Sequence, residues 1–173
     1  MNKVKFKVID SPTEKGKAQP NYLSDRFTED SFAHMTTDYM YAIYSAPDTG
    51  KTTLITNVLQ PYLKRTGKKA LYLTSRLAII AQLKGKVDNS LITCWTYQRI
   101  EEYVESSRPF VDSYDFIICD EAHYFIEDAE LTTKTDLSFN FINSSNAVVL
   151  LMTGTPEYIE CLKDSWSRPL KVL

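Results

Sequence analysis

The chain has no cysteine pair at metal-binding spacing and only two histidines, His34 and His123, which excludes a Cys/His zinc site. Its three cysteines, Cys94, Cys119 and Cys161, are far apart and lie within apolar stretches. They read as reduced core thiols, not as a disulfide framework. No apolar run is long enough to cross a bilayer, and the N-terminal MNKVKFKVID lacks the apolar core of a secretory signal. These absences point to a cytoplasmic protein without a membrane partner. The net charge is −2, so no overall positive field draws the chain to nucleic acid, and any such contact must come from local groups. There is no internal repeat, low-complexity tract or internal linker. What remains is 173 residues, 43% hydrophobic and 24% charged, which suits one soluble domain with a sizeable core.

The most informative stretch is Tyr114 to His123, YDFIICDEAH. Phe116 to Cys119 has the length and composition of a strand buried on both faces. Asp120 and Glu121 follow directly. Ligands of open α/β sheets bind just outside the carboxyl ends of the strands. Two acids there suit the holding of a hydrated Mg²⁺ and the handling of a water proton beside a phosphate. By itself, D-E-x-H also fits a surface acidic pair after any strand.

A second stretch adds the phosphate. Tyr39 to Ala46 reads as a buried strand, and Leu54, Ile55, Val58, Leu59, Tyr62 and Leu63 recur at helical spacing. Between them lies the loop Ser45, Ala46, Pro47, Asp48, Thr49, Gly50, Lys51, Thr52, Thr53. A Gly-Lys-Thr placed between strand and helix can cradle phosphates with backbone N–H groups and the helix dipole. Lys51 then supplies a point charge at the β- and γ-phosphates, and Thr52 a hydroxyl to Mg²⁺. The match to G-x-x-x-x-G-K-[ST] departs at two places. Ser45 stands where the first glycine belongs, and Asp48 brings a carboxylate near a polyphosphate. Asp tolerates left-handed backbone, but its charge costs affinity unless it points away.

The remaining elements alternate. Lys3 to Val8 has the pattern of an edge strand, Asp10 to Pro20 of a loop, and Thr28 with Glu29 and Asp30 of a helix start. Pro61 is expected to kink or interrupt its helix near Leu59, and Gly67 to end it. Lys69 to Thr74 and Ser90 to Cys94 read as strands. Arg76 to Lys84 and Trp95 to Glu105 read as helices. Arg108 to Ser113 and Glu127 to Lys134 read as irregular. A short helix is expected around Leu137, Phe141 and Ile142, followed by a strand over Ala147 to Met152. Thr155 is expected to cap a helix with Pro156 first and with Tyr158, Ile159, Leu162 and Trp166 on its buried face. Arg168 to Leu173 could begin another strand. The regular alternation predicts an α/β fold, a mostly parallel sheet with helices on both faces.

Together these segments resemble the first RecA-like motor domain of superfamily 2 helicases and translocases, of the DEAD/DEAH type found in bacteria, phages and mobile elements. Ser45–Thr53 is similar to motif I, the Walker A loop of P-loop NTPases. Thr74-Ser75-Arg76-Leu77-Ala78 is similar to motif Ia, and Thr93–Ile100 to the segment near motif Ib. Asp120-Glu121-Ala122-His123 matches the DEAH box, and Thr153-Gly154-Thr155-Pro156 is similar to motif III. The resemblance covers about Tyr39 to Glu157. It implies an ATP hydrolase that uses ATP and Mg²⁺, with 1–38 an N-terminal extension and 39–173 the ATP-binding domain. By it, Lys51 and Thr52 hold phosphates and metal, Asp120 binds Mg²⁺, and Glu121 polarises the attacking water. His123 links the nucleotide to Thr153, Gly154 and Thr155, which couple hydrolysis to nucleic acid. Arg76, Thr96 and Arg99 face a nucleic-acid backbone, DNA rather than RNA. The residues alone leave Arg76 open between that role and a solvated helix start, and Tyr97 and Gln98 read as packing and capping residues. No clear base-reading glutamine segment stands upstream; Gln19 and Tyr22 are the candidates. A second RecA-like domain, in cis or in trans, is expected to complete the site, so this chain alone should hydrolyse weakly. The alternatives are a nucleotide-binding regulatory module without turnover and a phage packaging-type P-loop ATPase.

Overall fold

The computed structural model describes residues 22–107, 113–127, 135–154, 156–163 and 166–173. The expected edge strand at Lys3–Val8, the loop at Asp10–Pro20, nearly all of the two later irregular segments, Gln19 and Thr155 lie outside them. Six strands form one sheet: β1 (Met40–Tyr44), β2 (Ala70–Thr74), β3 (Ile92–Thr96), β4 (Phe116–Cys119), β5 (Val148–Thr153) and β6 (Leu170–Val172). Their spatial order is β3-β2-β4-β5-β1-β6, and every pairing is parallel. The expectation of a mostly parallel sheet is therefore met in full among the described strands. Parallel pairing puts all the carboxyl ends on one rim. β1 and β4 are not neighbours; β5 lies between them, with Tyr44 level with Thr153 and Cys119 level with Leu151. Two strand spacings separate β1 from β4, about 10 Å, a gap that a lysine side chain can bridge.

Alternate residues of the strands feed two apolar layers. Tyr72 and Ile118 point to one, with Leu54, Leu59 and Leu63. Leu71, Leu73 and Cys119 point to the other, with Tyr97, Ile100 and Ile142. The first layer is closed by α1 (Leu23–Arg26), α2 (Glu29–Ala33), the helix that follows β1, and α5 (Leu77–Lys84). The second is closed by α6 (Tyr97–Glu105), α7 (Tyr124–Glu127), α8 (Thr135–Asn143) and α9 (Pro156–Lys163). Thr28 opens α2 with a capping box shared with Ser31. Among the described residues no helix is long and apolar enough to cross a membrane.

The helix after β1 runs on through Pro61. It starts as α3 (Lys51–Leu54), widens to a π-turn over Ile55–Leu59, and continues as α4 (Gln60–Thr66). The backbone stays right-handed helical across both junctions, with Gln60 N–H donating to Ile55 O. Pro61 has no N–H and its ring crowds the carbonyl one turn back. Widening the preceding turn absorbs that conflict, so the expected interruption becomes a π-bulge. Three other expectations shift. Trp95 and Thr96 belong to β3, not to the helix, because β2 pairs with β3 as far as Thr74 and Thr96. Trp166 is buried but lies beyond α9. Cys161 is exposed on α9, while Cys94 and Cys119 are core thiols as expected.

Gly67 ends α4 at φ 70°, and its N–H donates to Leu63 O. A Cβ there would meet nothing within 4 Å, so only backbone conformation is at stake. Gly67→Ala should lower unfolding free energy by about 1 kcal/mol. Urea titration checks this; an unchanged midpoint would contradict it.

Candidate nucleotide site

The loop after β1 is pinned at both ends. Ser45 N–H donates to Thr153 O at 2.8 Å, extending the β1–β5 ladder by one residue. Thr49 Oγ1 donates to Ala46 O at 2.7 Å, closing the turn. From the side, Leu23 N–H donates to Thr49 O at 2.9 Å. Two loop residues are left-handed, Asp48 at φ 59° and Gly50 at φ 82°. Asp48 thus takes the backbone that glycine adopts most easily. A side chain on Gly50 would also press to 3.0 Å from Tyr22 Cδ1. Gly154 packs behind the loop, where a Cβ would sit 3.6 Å from Ser45 O. Ser45 is 1% exposed, and its Oγ has no hydrogen-bond partner among the described residues. That atom sits where a loop of this kind needs the smallest residue.

Lys51 is the first helical residue after the loop. Its Nζ lies 3.6 Å from Asp120 Oδ1, across β5. The Asp120 carboxylate is 3% exposed, and burying a charge is costly unless it is paired and hydrogen-bonded. Two groups meet that need besides Lys51, and a third holds the backbone of the same residue. Tyr72 OH donates to Oδ2 at 2.7 Å, Glu121 N–H donates to Oδ1 at 3.0 Å, and Tyr97 OH donates to the Asp120 carbonyl at 2.8 Å. Tyr97 is itself stacked on Tyr124, with ring centroids 4.5 Å apart. Glu121 follows with φ 54°. Its Oε2 accepts from Ser75 Oγ at 2.9 Å and pairs with Arg76 Nε at 3.1 Å. Ala122 N–H donates to Met152 O at 2.9 Å, tying the turn to β5. His123 stacks on Tyr158 of α9, centroids 5.5 Å apart.

The expected residues therefore fall into two groups. Loop residues 45–53, Asp120, Glu121 and Thr153 share one rim, and Tyr22, Asp48, Lys51, Thr52, Tyr72 and Asp120 line a cleft of about 350 Å³ there. Of the three expected nucleic-acid contacts, Arg76 joins this group through Glu121. Thr96 and Arg99 lie at the β3 edge instead. Thr96 Oγ1 caps α6 by accepting from Arg99 N–H at 3.1 Å. The Arg99 guanidinium covers Trp95 at 4.6 Å from the ring centroid. Sequence reasoning did not assign Tyr72 and Ser75 to the site, and gave Tyr97 only a packing role. Nothing in KALYLT says which face of β2 looks at Asp120; only the β2–β4 register does. Among the described residues no three His, Cys, Asp or Glu side chains gather as a metal cage. Mg²⁺ needs no such cage, since it is usually held by one or two carboxylates, waters and substrate phosphates. A carboxylate, the Thr52 hydroxyl and a lysine at the mouth of a helix fit a metal-bound polyphosphate.

The fold is that of a helicase-type RecA-like domain. The helicase domain of Hef from Pyrococcus furiosus is similar in structure, with a TM-score of 0.56 over 84% of this chain and 37% of that one, at 16% identity. The chain thus spans a little over a third of that structure. Residues 86–158 match the family described as the res subunit of type III restriction enzymes. That stretch contains β3, β4, the Asp120–His123 box and β5. No curated protein matches the sequence. The family match and the structural likeness together support a helicase-type motor domain.

Several protons are held by burial. Burial, then the Asp120 charge, raises the Tyr72 hydroxyl well above its ordinary value. Burial does the same for Tyr97. Burial lifts the Cys94 thiol from 9.0 to about 11, with Lys84 opposing it. A pKa raised on folding stabilises fully below the unfolded value and is lost as pH rises toward the folded value. The Cys94 share should fade between pH 9.0 and about 11, and the tyrosine shares only above their ordinary 10.0. Urea midpoints should fall steeply over that alkaline range, and less steeply in Cys94→Ala. Equal slopes in both proteins would contradict the assignment.

Proposed function

We propose that this chain is the ATP-binding half of an ATP-dependent nucleic-acid helicase or translocase of the DEAH type. The observation that carries this reading is the approach of Lys51 and Asp120 at 3.6 Å from opposite sides of β5. Residues 39–173 form the motor unit, and 1–38 an extension whose α1 packs beside the phosphate loop while α2 packs on the helix that follows it. The loop N–H groups from Ala46 to Thr53 and the Lys51 ammonium bind the β- and γ-phosphates of ATP. Thr52 and Asp120 would hold Mg²⁺, and Tyr72 OH steadies the Asp120 carboxylate through Oδ2. The metal, when bound, neutralises charge on the phosphate oxygens. Glu121 accepts a proton from the attacking water as its oxygen bonds to the γ-phosphorus; the bond to the β–γ bridging oxygen breaks and ADP leaves. His123, Thr153, Gly154 and Thr155 couple the nucleotide to the polymer, and Arg76 and Arg99 contact its backbone. The match to a restriction-enzyme family favours DNA over RNA. A second RecA-like domain closes the site and brings an arginine, worth about 10³–10⁵ in rate.

One observation favours a regulatory module without turnover: Asp48 lines the cleft with an acid that opposes phosphate. Calorimetric titration with Mg·ATP tests both readings. Lys51→Ala should weaken binding by about tenfold or more, since a charged contact to phosphate is lost. Asp48→Gly should tighten it about fivefold, the roughly 1 kcal/mol value of one charge about 4 Å away and screened by water. Unchanged affinity in Lys51→Ala overturns the motor site. A gain far above fivefold in Asp48→Gly marks a site degenerate in the native chain.

A further inference from the structure

Arg76 and Glu121 meet because they follow neighbouring strands. Arg76 lies just past β2 and Glu121 just past β4, and these strands pair directly. The Arg76 side chain is 67% exposed while that of Glu121 is 14% exposed. One side of the guanidinium is therefore on a carboxylate and the other is open to solvent. The carboxylate is held toward Arg76 by a turn that is itself strained. Glu121 is left-handed at φ 54°, a conformation that is costly away from glycine. Ala122 N–H on Met152 O and Tyr124 N–H on Glu121 O, both 2.9 Å, keep that turn in place. Ser75 and Arg76 both address the same oxygen, Oε2. Oε2 is thus engaged by a hydroxyl and a guanidinium at once.

We propose that the Arg76–Glu121 pair is a latch: a backbone phosphate of single-stranded nucleic acid competes for the Arg76 guanidinium and so frees Glu121 for the attacking water. The proposal rests on the helicase reading of the site and names how that site is regulated. Arginine's planar fork fits a phosphate as well as it fits a carboxylate. An ion pair with one partner this exposed is weak, so a single well-placed phosphate can displace it. Arg76 is then a positioning residue that acts through Glu121, and its Nε is unavailable to nucleic acid while latched.

Linkage makes this testable without any turnover. If phosphate binding breaks the pair, breaking the pair must strengthen phosphate binding. The probe is a fluorescent oligo-dT strand bound by the full chain at low salt and read by anisotropy. Glu121→Gln should bind about two- to fivefold tighter than the native chain, the strength of a partly exposed ion pair. Arg76→Ala should bind more weakly, and Arg76→Lys should stay near native because it keeps a phosphate-binding charge. In Glu121→Gln with Arg76→Ala, the gain should vanish, leaving the affinity of Arg76→Ala alone. A gain that survives in the double variant is a general charge effect and overturns the latch. No gain in Glu121→Gln overturns it too. If the native chain binds but Arg76→Ala changes nothing, the latch fails and the nucleic-acid reading stands. If no variant binds the strand, both fail.

Discussion

A lysine and a carboxylate held apart by a strand that contributes neither is the constraint around which this molecule is built. Lys51 is set by the loop after β1 and Asp120 by the end of β4, while β5 carries the register between them. Parallel pairing of β1 and β4 with β5 brings both ends to one rim, and the one-strand gap lets a lysine reach. A buried carboxylate at that rim then dictates its neighbours. It is tolerable because Lys51, Tyr72 and the Glu121 N–H each address it. Tyr97 holds its carbonyl from below and is locked in turn by the stack on Tyr124. The polar cluster thus reaches into the second apolar layer, and site geometry and core packing are not separable there.

Two of the three left-handed non-glycine residues among the described ones fall in the same place; the third, Ser107, follows α6. Asp48 and Glu121 are left-handed without being glycine, and both lie in the loops that form the cleft or its flank. Such conformations persist only where the surroundings over-determine them. The phosphate loop is pinned by Thr153 O and Leu23 N–H, and the acidic turn by Met152 O. β5 is therefore the common anchor of both loops, which explains why its end carries the residues expected to relay events at the nucleotide.

Much of this was legible in the residues. The β4 bounds, Phe116 to Cys119, follow from a short apolar run closed by two acids. The loop at Gly50–Lys51–Thr52 and the α/β class follow from its strand–helix setting and from the alternation of elements. The rest depended on information that local patterns do not hold. Strands buried on both faces have no polar side to mark, so nothing showed that Tyr72 faces Asp120 while Leu71 and Leu73 do not. The β3–α6 boundary slipped because Trp95 and Thr96 suit either element, and pairing with β2 decided it. Pro61 obeyed its local rule, but the chain answered with a wider turn instead of a break. Arg76 had two readings, and its partner lies on a different strand end, visible only once β2 and β4 are side by side.

The most direct test of the account is the affinity of the chain for ATP with and without Mg²⁺, measured in the native protein and in Asp120→Asn. If Lys51 and Asp120 share one metal-bound triphosphate, Mg²⁺ tightens native binding by about tenfold or more, because the carboxylate and the phosphates hold the ion together. In Asp120→Asn that dependence on Mg²⁺ collapses while metal-free binding through Lys51 persists. The same Mg²⁺ dependence in both proteins would contradict the account.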